Sequence, residues 1–259
     1  MLGRERMSDD AFTQRRWDER WAAEALPYDP AEDEQLRDSL GLIRRFWPDP
    51  NGKFLEAGCG PAANALNLAR AGAEVTGIDF SPHAIEAAEE GFRRHGVRGD
   101  FVLCDVRDIR FPDGTFDFVY AGGVVEHFRD TDRAIAEMAR VLKPGGRVLL
   151  TVPALTLSYP YMFLRGNVPA IPVGEQAATF LHFRLLRGAF AEFGFERSFR
   201  KRRLAGLVAD AGLVDVEVGR FDTYLPLLKI PGSLRGGARR LAQRDAFAPM
   251  WYATGRRPC

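Results

Sequence analysis

Phe54-Leu55-Glu56-Ala57-Gly58-Cys59-Gly60 is the stretch that decides the fold of this chain. An apolar run ends in an acidic residue and enters a turn with two glycines, and residues 64–69 after it have the composition of a helix. Two glycines two positions apart let the backbone turn sharply and let a ligand approach without meeting a Cβ. The unpaired N–H groups of the helix N-terminus favour negative charge or lone pairs there. The stretch therefore predicts a strand, a turn and a helix beside a nucleotide-type pocket.

Strand and helix patterns alternate around this stretch. The predicted strands are residues 54–56, 74–78, 100–104, 116–121 and 147–152. The predicted helices are residues 36–46, 62–71, 82–95 and 131–141. Loops this short imply right-handed crossovers, so the strands form a parallel, doubly wound sheet. The near-continuous apolar runs fit strands that are buried on both faces.

Composition sets bounds on the class of protein. A chain of 259 residues with 46% hydrophobic residues is one large domain, or one domain with an inserted cap. Its formal net charge of +1 indicates no particular partner. Three scattered cysteines and the lack of Cys-x-x-Cys or His-Glu-x-x-His motifs predict neither a disulfide framework nor a metal site. Without an apolar signal core or a bilayer-length run, we expect a cytoplasmic protein.

The ends of the predicted strands are where a ligand is expected, because doubly wound sheets bind ligands beyond their carboxyl ends. Acids dominate the residues that end or follow the first four strands: Glu56, Asp79, Asp105, Ala121, Glu126 and His127. No lysine or arginine is expected to accompany them. This arrangement favours a ligand with a cationic centre, ribose hydroxyls and an adenine amine over a pyrophosphate.

Six motifs in succession resemble those of class I S-adenosylmethionine-dependent methyltransferases. They cover residues 53–152 and read Glu56-Ala57-Gly58-Cys59-Gly60, Gly77-Ile78-Asp79-Phe80-Ser81, Asp105-Val106, Phe116-Asp117-Phe118-Val119-Tyr120, Val125-Glu126-His127 and Leu142-Lys143-Pro144-Gly145-Gly146. The resemblance implies S-adenosylmethionine as cofactor and a Rossmann-like, seven-stranded, mostly parallel α/β sheet. Residues 213–220 and 250–254 would be its last two strands, one of them antiparallel. Ala62 stands where the first motif often has a third glycine.

The resemblance also implies a cofactor site at the strand ends. Its predicted members are Glu56, Gly58, Gly60, Asp79, Phe80, Asp105, Val106 and Ala121. In the family's pattern, Asp79 takes both ribose hydroxyls and Asp105 accepts from the adenine amine. Glu56 is expected near the methionine end.

The segment before the first strand is polar and rich in tryptophan. The spacing of Trp17 and Trp21 places two indoles on one face of a helix. The segment is similar to one that thiopurine-type members fold over the cofactor, and two explanations stay open. Residues 1–52 form either a helical lid whose indoles shield the sulfonium, with Arg20 paired to the cofactor's carboxylate or to a local acid, or a helix simply docked on the core. Residues 53–259 are then the methyltransferase domain.

Residues 155–199 are too long and too aromatic for a simple connection, so they predict an inserted cap over an apolar or aromatic acceptor pocket. The candidate substrate contacts are Glu126, Tyr159, Tyr161 and His182. His127 is the candidate catalytic base, because a neutral imidazole can take a proton near pH 7. The alternative is that His127 only holds the loop after the fourth strand. The predicted function is methyl transfer to a small apolar or aromatic acceptor, first at oxygen and otherwise at nitrogen or carbon.

Two other functions fit part of the sequence. A domain that binds S-adenosylmethionine or a protein partner without catalysis would keep the same acids. A nicotinamide oxidoreductase would use Gly58, Gly60 and Asp79 for a dinucleotide. That fingerprint expects a third glycine where Ala63 stands, and the chain has no Tyr-x-x-x-Lys pair.

Arginine-rich groups occur twice in the last third of the chain: Arg197 with Arg200-Lys201-Arg202-Arg203, and Arg235, Arg239, Arg240 and Arg244. They suit a membrane surface, a nucleic acid or a solvated helix face. We favour the solvated face, since no stacking motif or RNA module accompanies them. No nucleic-acid partner is expected, and peripheral membrane contact stays open.

Overall fold

The computed structural model describes residues 9–23, 28–29, 31–158, 195–221 and 232–259. Its strands are β1 (Lys53–Ala57), β2 (Glu74–Asp79), β3 (Asp100–Leu103), β4 (Phe116–Gly122), β5 (Leu142–Pro153), β6 (Val214–Phe221) and β7 (Met250–Arg256). They form one sheet in the order β3-β2-β1-β4-β5-β7-β6. β7 runs antiparallel to both of its neighbours, β5 and β6, and the other neighbouring pairs are parallel. The prediction of a seven-stranded, mostly parallel sheet is confirmed.

The helices of the described residues lie between these strands and before them. They are α1 (Asp9–Ala23), α2 (Glu34–Phe46), α3 (Ala63–Arg70), α4 (Pro82–Arg94), α5 (Thr131–Val141), α6 (Lys201–Asp210) and α7 (Gly232–Ala242). Short 3-10 turns span Val125–His127 and Asp245–Phe247. Among these helices and turns, none is long and apolar enough to cross a membrane.

Two hydrophobic cores flank the sheet, one on each face. Consecutive residues of β1 enter opposite cores, with Phe54 packed in one and Leu55 in the other. Both side chains are fully buried. A strand covered on both faces requires helices on both faces, so the doubly wound arrangement follows from the apolar runs.

The start of β5 differs from the prediction. Leu142 already pairs with Phe116, and the next pairing joins Arg147 to Phe118, so residues 143–146 bulge out of the ladder. The sequence placed the strand start at Arg147, because Pro144 and two glycines read as a break. A bulge accommodates the same residues without ending the strand, and Gly145 takes a positive φ of 79° within it.

Strand order reverses between β1 and β4, which places a crevice at their carboxyl ends. The ends of the predicted cap meet at the same edge of the sheet. Leu155 N–H donates to the Phe199 carbonyl at 2.8 Å, and Phe199 N–H donates to the Pro153 carbonyl at 2.9 Å. Most of the cap, residues 159–194, lies outside the described residues.

Candidate active site

The first glycine turn takes left-handed backbone angles at three positions. The φ angles are 72° at Gly58, 48° at Gly60 and 58° at Ala62. Gly58 and Cys59 both donate their N–H groups to the Ile78 carbonyl, at 2.7 and 2.9 Å. The left-handed angle explains why glycine is common at position 62, since a Cβ there costs about 1–2 kcal/mol. Ala62 adopts the left-handed conformation despite this cost.

Asp79 ends β2 and ties two turns together. One carboxylate oxygen accepts from Gly60 N–H at 2.9 Å, and the other accepts from Ser81 N–H at 2.9 Å. Burial raises the pKa of Asp79 to about 6, although these backbone donors favour its charged form. Asp79 therefore holds the glycine turn in place and is ionised above about pH 6.

Glu56 is the penultimate residue of β1 and caps α3. Its carboxyl group accepts from Ala65 N–H and from Asn64 Nδ2, each at 2.9 Å. The N-cap position of α3, Ala62, has no side chain that could satisfy these donors. Burial raises the pKa of Glu56 to about 7. Both oxygens thus already have protein partners, which the sequence did not indicate.

Asp105 is paired with an arginine, so the expectation that no basic residue accompanies the acids is wrong. Arg107 donates its backbone N–H to Asp105 Oδ1 at 2.8 Å and Nη2 to Oδ2 at 2.7 Å. Burial would raise the pKa of Asp105, but the bonds and charge of Arg107 hold it below its usual value. Arg107 also pairs with Asp10 at 2.6 Å and with Asp130 at 3.2 Å. The Asp-x-Arg spacing was the available signal, since residues two apart in a turn can bond.

A cavity of about 270 Å³ lies beside this ion network. Its walls come from α1, from the ends of β2 and β3 and from the loop after β4: Asp10, Thr13, Gln14, Phe80, Leu103, Cys104, Asp105, Arg107, Arg110 and Phe128. Phe80 and Phe128 meet edge to face with ring centroids 6.4 Å apart. The cavity combines aromatic walls with charged groups at one side, which suits a flat, polar-edged ring.

Helix α1 lies across the ends of β2 and β3. Gln14 Nε2 donates to the Phe80 carbonyl at 3.1 Å, and Asp18 accepts from Ser81 Oγ at 2.6 Å. Thr13 Oγ1 accepts from Phe195 N–H at 2.9 Å. These polar contacts, with the Asp10 ion pair, hold α1 over the cavity.

The two tryptophans of α1 share one face, as predicted. Their rings stack with centroids 5.5 Å apart, and the Arg20 guanidinium lies 5.4 Å from each ring. Trp21 packs on the glycine turn, because a Cβ built on Gly60 would lie 2.9 Å from its ring. Helix α1 thus reaches the turn where the ligand is expected.

The loop after β4 lies against the same turn. A Cβ built on Gly58 would come 2.5 Å from the Val124 side chain, so only glycine fits there. Two residues further along, Glu126 is buried, and its Oε2 has no hydrogen-bond partner. Burial raises the pKa of Glu126 to about 8. An unpartnered buried carboxyl oxygen is costly, which points to a partner that a ligand would supply.

His127 is buried beside Glu126 and bonded to the protein. Its Nδ1 lies 2.8 Å from the Phe195 carbonyl, and its ring meets Trp17 edge to face at 5.1 Å. Burial lowers the pKa of His127 to about 4, although the carbonyls of Phe195 and Gly123 favour the protonated form. The imidazole is therefore neutral at physiological pH.

The remaining predicted site residues are distributed differently. Ala121 and Val106 are buried in the core, so only their backbone atoms are available to a ligand. Tyr159, Tyr161 and His182 lie outside the described residues. Within the described part of the chain, no group of three or more His, Cys, Asp or Glu side chains could hold a metal ion.

The fold and this site define a Rossmann-like protein with a pocket at the strand ends. Residues 55–150 match a family described as a methyltransferase domain. A ubiquinone/menaquinone biosynthesis C-methyltransferase, UbiE, from Desulfotalea psychrophila is 34% identical over 64% of this chain and 67% of its own length. A ubiquinone biosynthesis O-methyltransferase from Thiobacillus denitrificans is 27% identical over 78% of this chain and 84% of its own length.

A solved structure shares the fold. Phosphoethanolamine N-methyltransferase 2 from Haemonchus contortus, in complex with phosphomonomethylethanolamine and S-adenosylhomocysteine, superimposes with a TM-score of 0.65 at 18% identity. The match covers 98% of this chain and 61% of that chain. The chain belongs to the class I S-adenosylmethionine-dependent methyltransferases. S-adenosylmethionine is the methyl donor of this family, so a nicotinamide oxidoreductase is no longer the alternative.

The raised pKa of Glu126 predicts a pH dependence of stability. Glu126 stays protonated in the folded state up to about pH 8, whereas the ordinary pKa of a glutamate is 4.5. As pH rises between these two values, the unfolded state loses this proton and the folded state keeps it, so the free energy of unfolding falls. Urea unfolding at pH 6.5 and pH 8 should show a lower free energy of unfolding at pH 8. In Glu126→Gln the fall should be smaller, by up to about 1.4 kcal/mol per pH unit. An equal fall in both proteins would contradict the assignment.

Proposed function

We propose that this methyltransferase moves the methyl group of S-adenosylmethionine to a small apolar or aromatic acceptor, at oxygen. The observation that carries the proposal is the buried Glu126, whose Oε2 has no partner and whose loop packs on the glycine turn. An acceptor hydroxyl would give that oxygen the donor it lacks. Methyl transfer from such a hydroxyl needs a group that removes its proton.

We place the methyl donor, S-adenosylmethionine, along the line from the glycine turn to the cavity. We assign both ribose hydroxyls to Asp79, and its carboxylate contact with the turn at Gly60 supports this assignment. We place the adenine in the 270 Å³ cavity, beside Phe80. Arg107 saturates the Asp105 oxygens, so we assign it the role of fixing that carboxylate at the edge of the adenine. Glu56 acts on the methionine end through the turn and α3.

We propose that residues 1–52 act as a lid, with α1 as its closing element. Four polar contacts hold α1 over the cavity. Trp17 packs on His127 in the loop after β4, and Trp21 packs on the glycine turn. A sulfonium compound gains from such a wall, because water is excluded and positioning improves. Positioning of this kind is worth effective molarities of about 10⁵–10⁸ M. The domain that it closes is residues 53–259, including the cap at 155–199.

The names of two relatives and the chemistry of the site support the proposed acceptor class. Two relatives are named for quinone biosynthesis, one as a C-methyltransferase and one as an O-methyltransferase. Both names fit a ring-shaped acceptor, which agrees with the aromatic residues predicted for the cap. We favour oxygen over carbon because the buried Glu126 Oε2 lacks a hydrogen-bond partner, which an acceptor hydroxyl would supply. We keep the cytoplasm as the proposed location and expect no nucleic-acid partner.

Two neighbouring residues could accept the proton. His127 was predicted for this role, but its Nδ1 is bonded to Phe195 and its pKa of about 4 makes it a weak base. Glu126 has a free oxygen and a pKa near 8, so its carboxylate is the stronger base. The geometry favours Glu126 for proton transfer and His127 for holding the loop against residue 195 and Trp17.

Binding and turnover test the proposal separately. S-adenosylhomocysteine at a hundred times its Kd should stabilise the folded protein by about 2.7 kcal/mol in thermal unfolding. Methyl-labelled S-adenosylmethionine, offered with simple phenols, anilines and quinols, should then give a methyl ether, identified by the chemical shift of the new methyl group. Stabilisation without turnover on any of the three classes would favour the non-catalytic alternative. A carbon- or nitrogen-bound methyl group would replace the oxygen assignment.

A further inference from the structure

Helix α7 is exposed along almost its whole length and carries two leucines on its surface. Leu234 is 63% exposed and Leu241 is 48% exposed, and Ala242 is the buried residue of the helix. Leucines seven positions apart share one stripe of a helix. Exposed leucines on a soluble surface usually occur singly, so a stripe of them points to something that covers it.

The rest of α7 is basic. Residues 232–244 contain four arginines and no aspartate or glutamate. Arg239 pairs with Glu34 at the start of α2, which anchors the helix to the body of the protein. A short helix with an apolar stripe, arginines and no acids fits the interface of a membrane that carries negative charge. The solvated face that the arginines alone suggested does not explain the leucines.

The position of α7 supports this reading. Strand β7 runs antiparallel, and its first residue, Met250, pairs with Pro153 at the end of β5. The segment between α7 and β7 therefore reaches the edge of the sheet that carries the candidate active site. Leu157, which is 67% exposed, lies at the same edge, with its N–H bonded to the Ala246 carbonyl. Three of the five large apolar side chains exposed among the described residues thus belong to this region.

We propose that α7 docks on the surface of an anionic lipid bilayer, with Leu234 and Leu241 at the hydrocarbon boundary and the arginines other than Arg239 among the lipid phosphates. A nucleic acid would engage the arginines through phosphate contacts but would leave the leucines in water. Docking in this way would turn the active-site edge towards the bilayer, where an apolar acceptor dissolves. That last benefit rests on the proposed function, whereas the docking itself does not.

Co-sedimentation of the full chain with vesicles tests the docking. The wild-type protein should bind vesicles of equal parts phosphatidylglycerol and phosphatidylcholine, and bind pure phosphatidylcholine at least about tenfold less. Leu234→Ser with Leu241→Ser should lower binding to the anionic vesicles about tenfold at unchanged net charge. Val214→Ser is the matched control, because Val214 is a 39% exposed apolar residue at the opposite end of the sheet, and its binding should equal wild type. Thermal unfolding of each variant verifies that it is folded.

Several results would overturn the proposal. The first is no sedimentation of the wild-type protein with either vesicle. The second is unchanged binding of the leucine variant to the anionic vesicles, which would mean that charge attraction alone holds the protein on the lipid. The third is self-association of the protein through α7, which light scattering would show as a change of oligomeric state in the leucine variant. The fourth is tight binding to duplex RNA instead of vesicles. Because no acceptor or donor is added, these outcomes do not depend on whether the enzyme methylates at oxygen.

Discussion

Asp79→Ala should weaken binding of S-adenosylhomocysteine by about 10- to 150-fold, or about 1.5–3 kcal/mol, in titration calorimetry. Asp79 is buried at the end of β2, and a ribose bound there would give its carboxylate two charged hydrogen bonds. The measurement belongs at pH 8, because burial raises the pKa of Asp79 to about 6 and the carboxylate must be ionised.

The alanine variant also loses the bonds that Asp79 makes to the N–H groups of Gly60 and Ser81, so the experiment needs a control with the same structural defect. Asp117→Ala provides it. Asp117 accepts from Lys53 N–H at 2.8 Å and from Lys143 Nζ at 2.7 Å, at the other end of the sheet. Its loss should lower the melting temperature and leave the cofactor Kd unchanged. Unchanged affinity in Asp79→Ala would show that the ribose is held elsewhere.

Glu126→Gln should slow methyl transfer by about 10²- to 10⁴-fold in single-turnover experiments, while the Kd for S-adenosylhomocysteine stays within about twofold of wild type. Glutamine keeps the size of the side chain but cannot take a proton, so a loss of rate reports proton transfer rather than packing. The ordering of the loop after β4 can be verified by thermal unfolding.

His127→Gln completes the comparison. If Glu126 is the base, the rate of the His127 variant stays within about tenfold of wild type, and the rise of rate with pH persists. That rise should vanish in Glu126→Gln. Its midpoint in wild type should lie below the value of about 8 of the empty site, because the sulfonium stabilises a nearby carboxylate. The opposite pattern, with the rise lost only in His127→Gln, would return the role of base to His127.

The regular part of the fold could be predicted because its signals are local. Apolar runs such as residues 54–56 and 116–121 reappear as buried strands, and helix starts such as Ser81-Pro82 carry their caps in the sequence. The start of β5 could not be predicted, since Pro144 and its glycines fit both a break and a bulge. Only the pairing of Leu142 with Phe116, across the sheet, distinguishes the two.

The sequence predicted the edge of the sheet where the acids lie, but not what each of them contacts. Acids at the strand ends follow from topology, so Asp79 and Asp105 were placed at the correct edge. What each acid binds depends on neighbours distant in sequence, as with Asp10 and Asp130 around Arg107. His127 was chosen for its residue type, and the sequence could not show that burial would depress its pKa. The exposure of Leu234 and Leu241 was equally invisible, because an arginine-rich helix reads the same whether its leucines face the core or the solvent.

The contact of Trp21 with Gly60 has a consequence for which step limits the rate of the catalytic cycle. If α1 acts as the proposed lid, its contact with the glycine turn means that the donor enters and the demethylated product leaves only when the helix lifts. In many enzymes with such a lid, the opening of the lid or the release of product limits the turnover rate. The steady-state rate of this enzyme would then be set by how quickly α1 releases its hold on Arg107 and Ser81, and not by the making of the new bond to the methyl group.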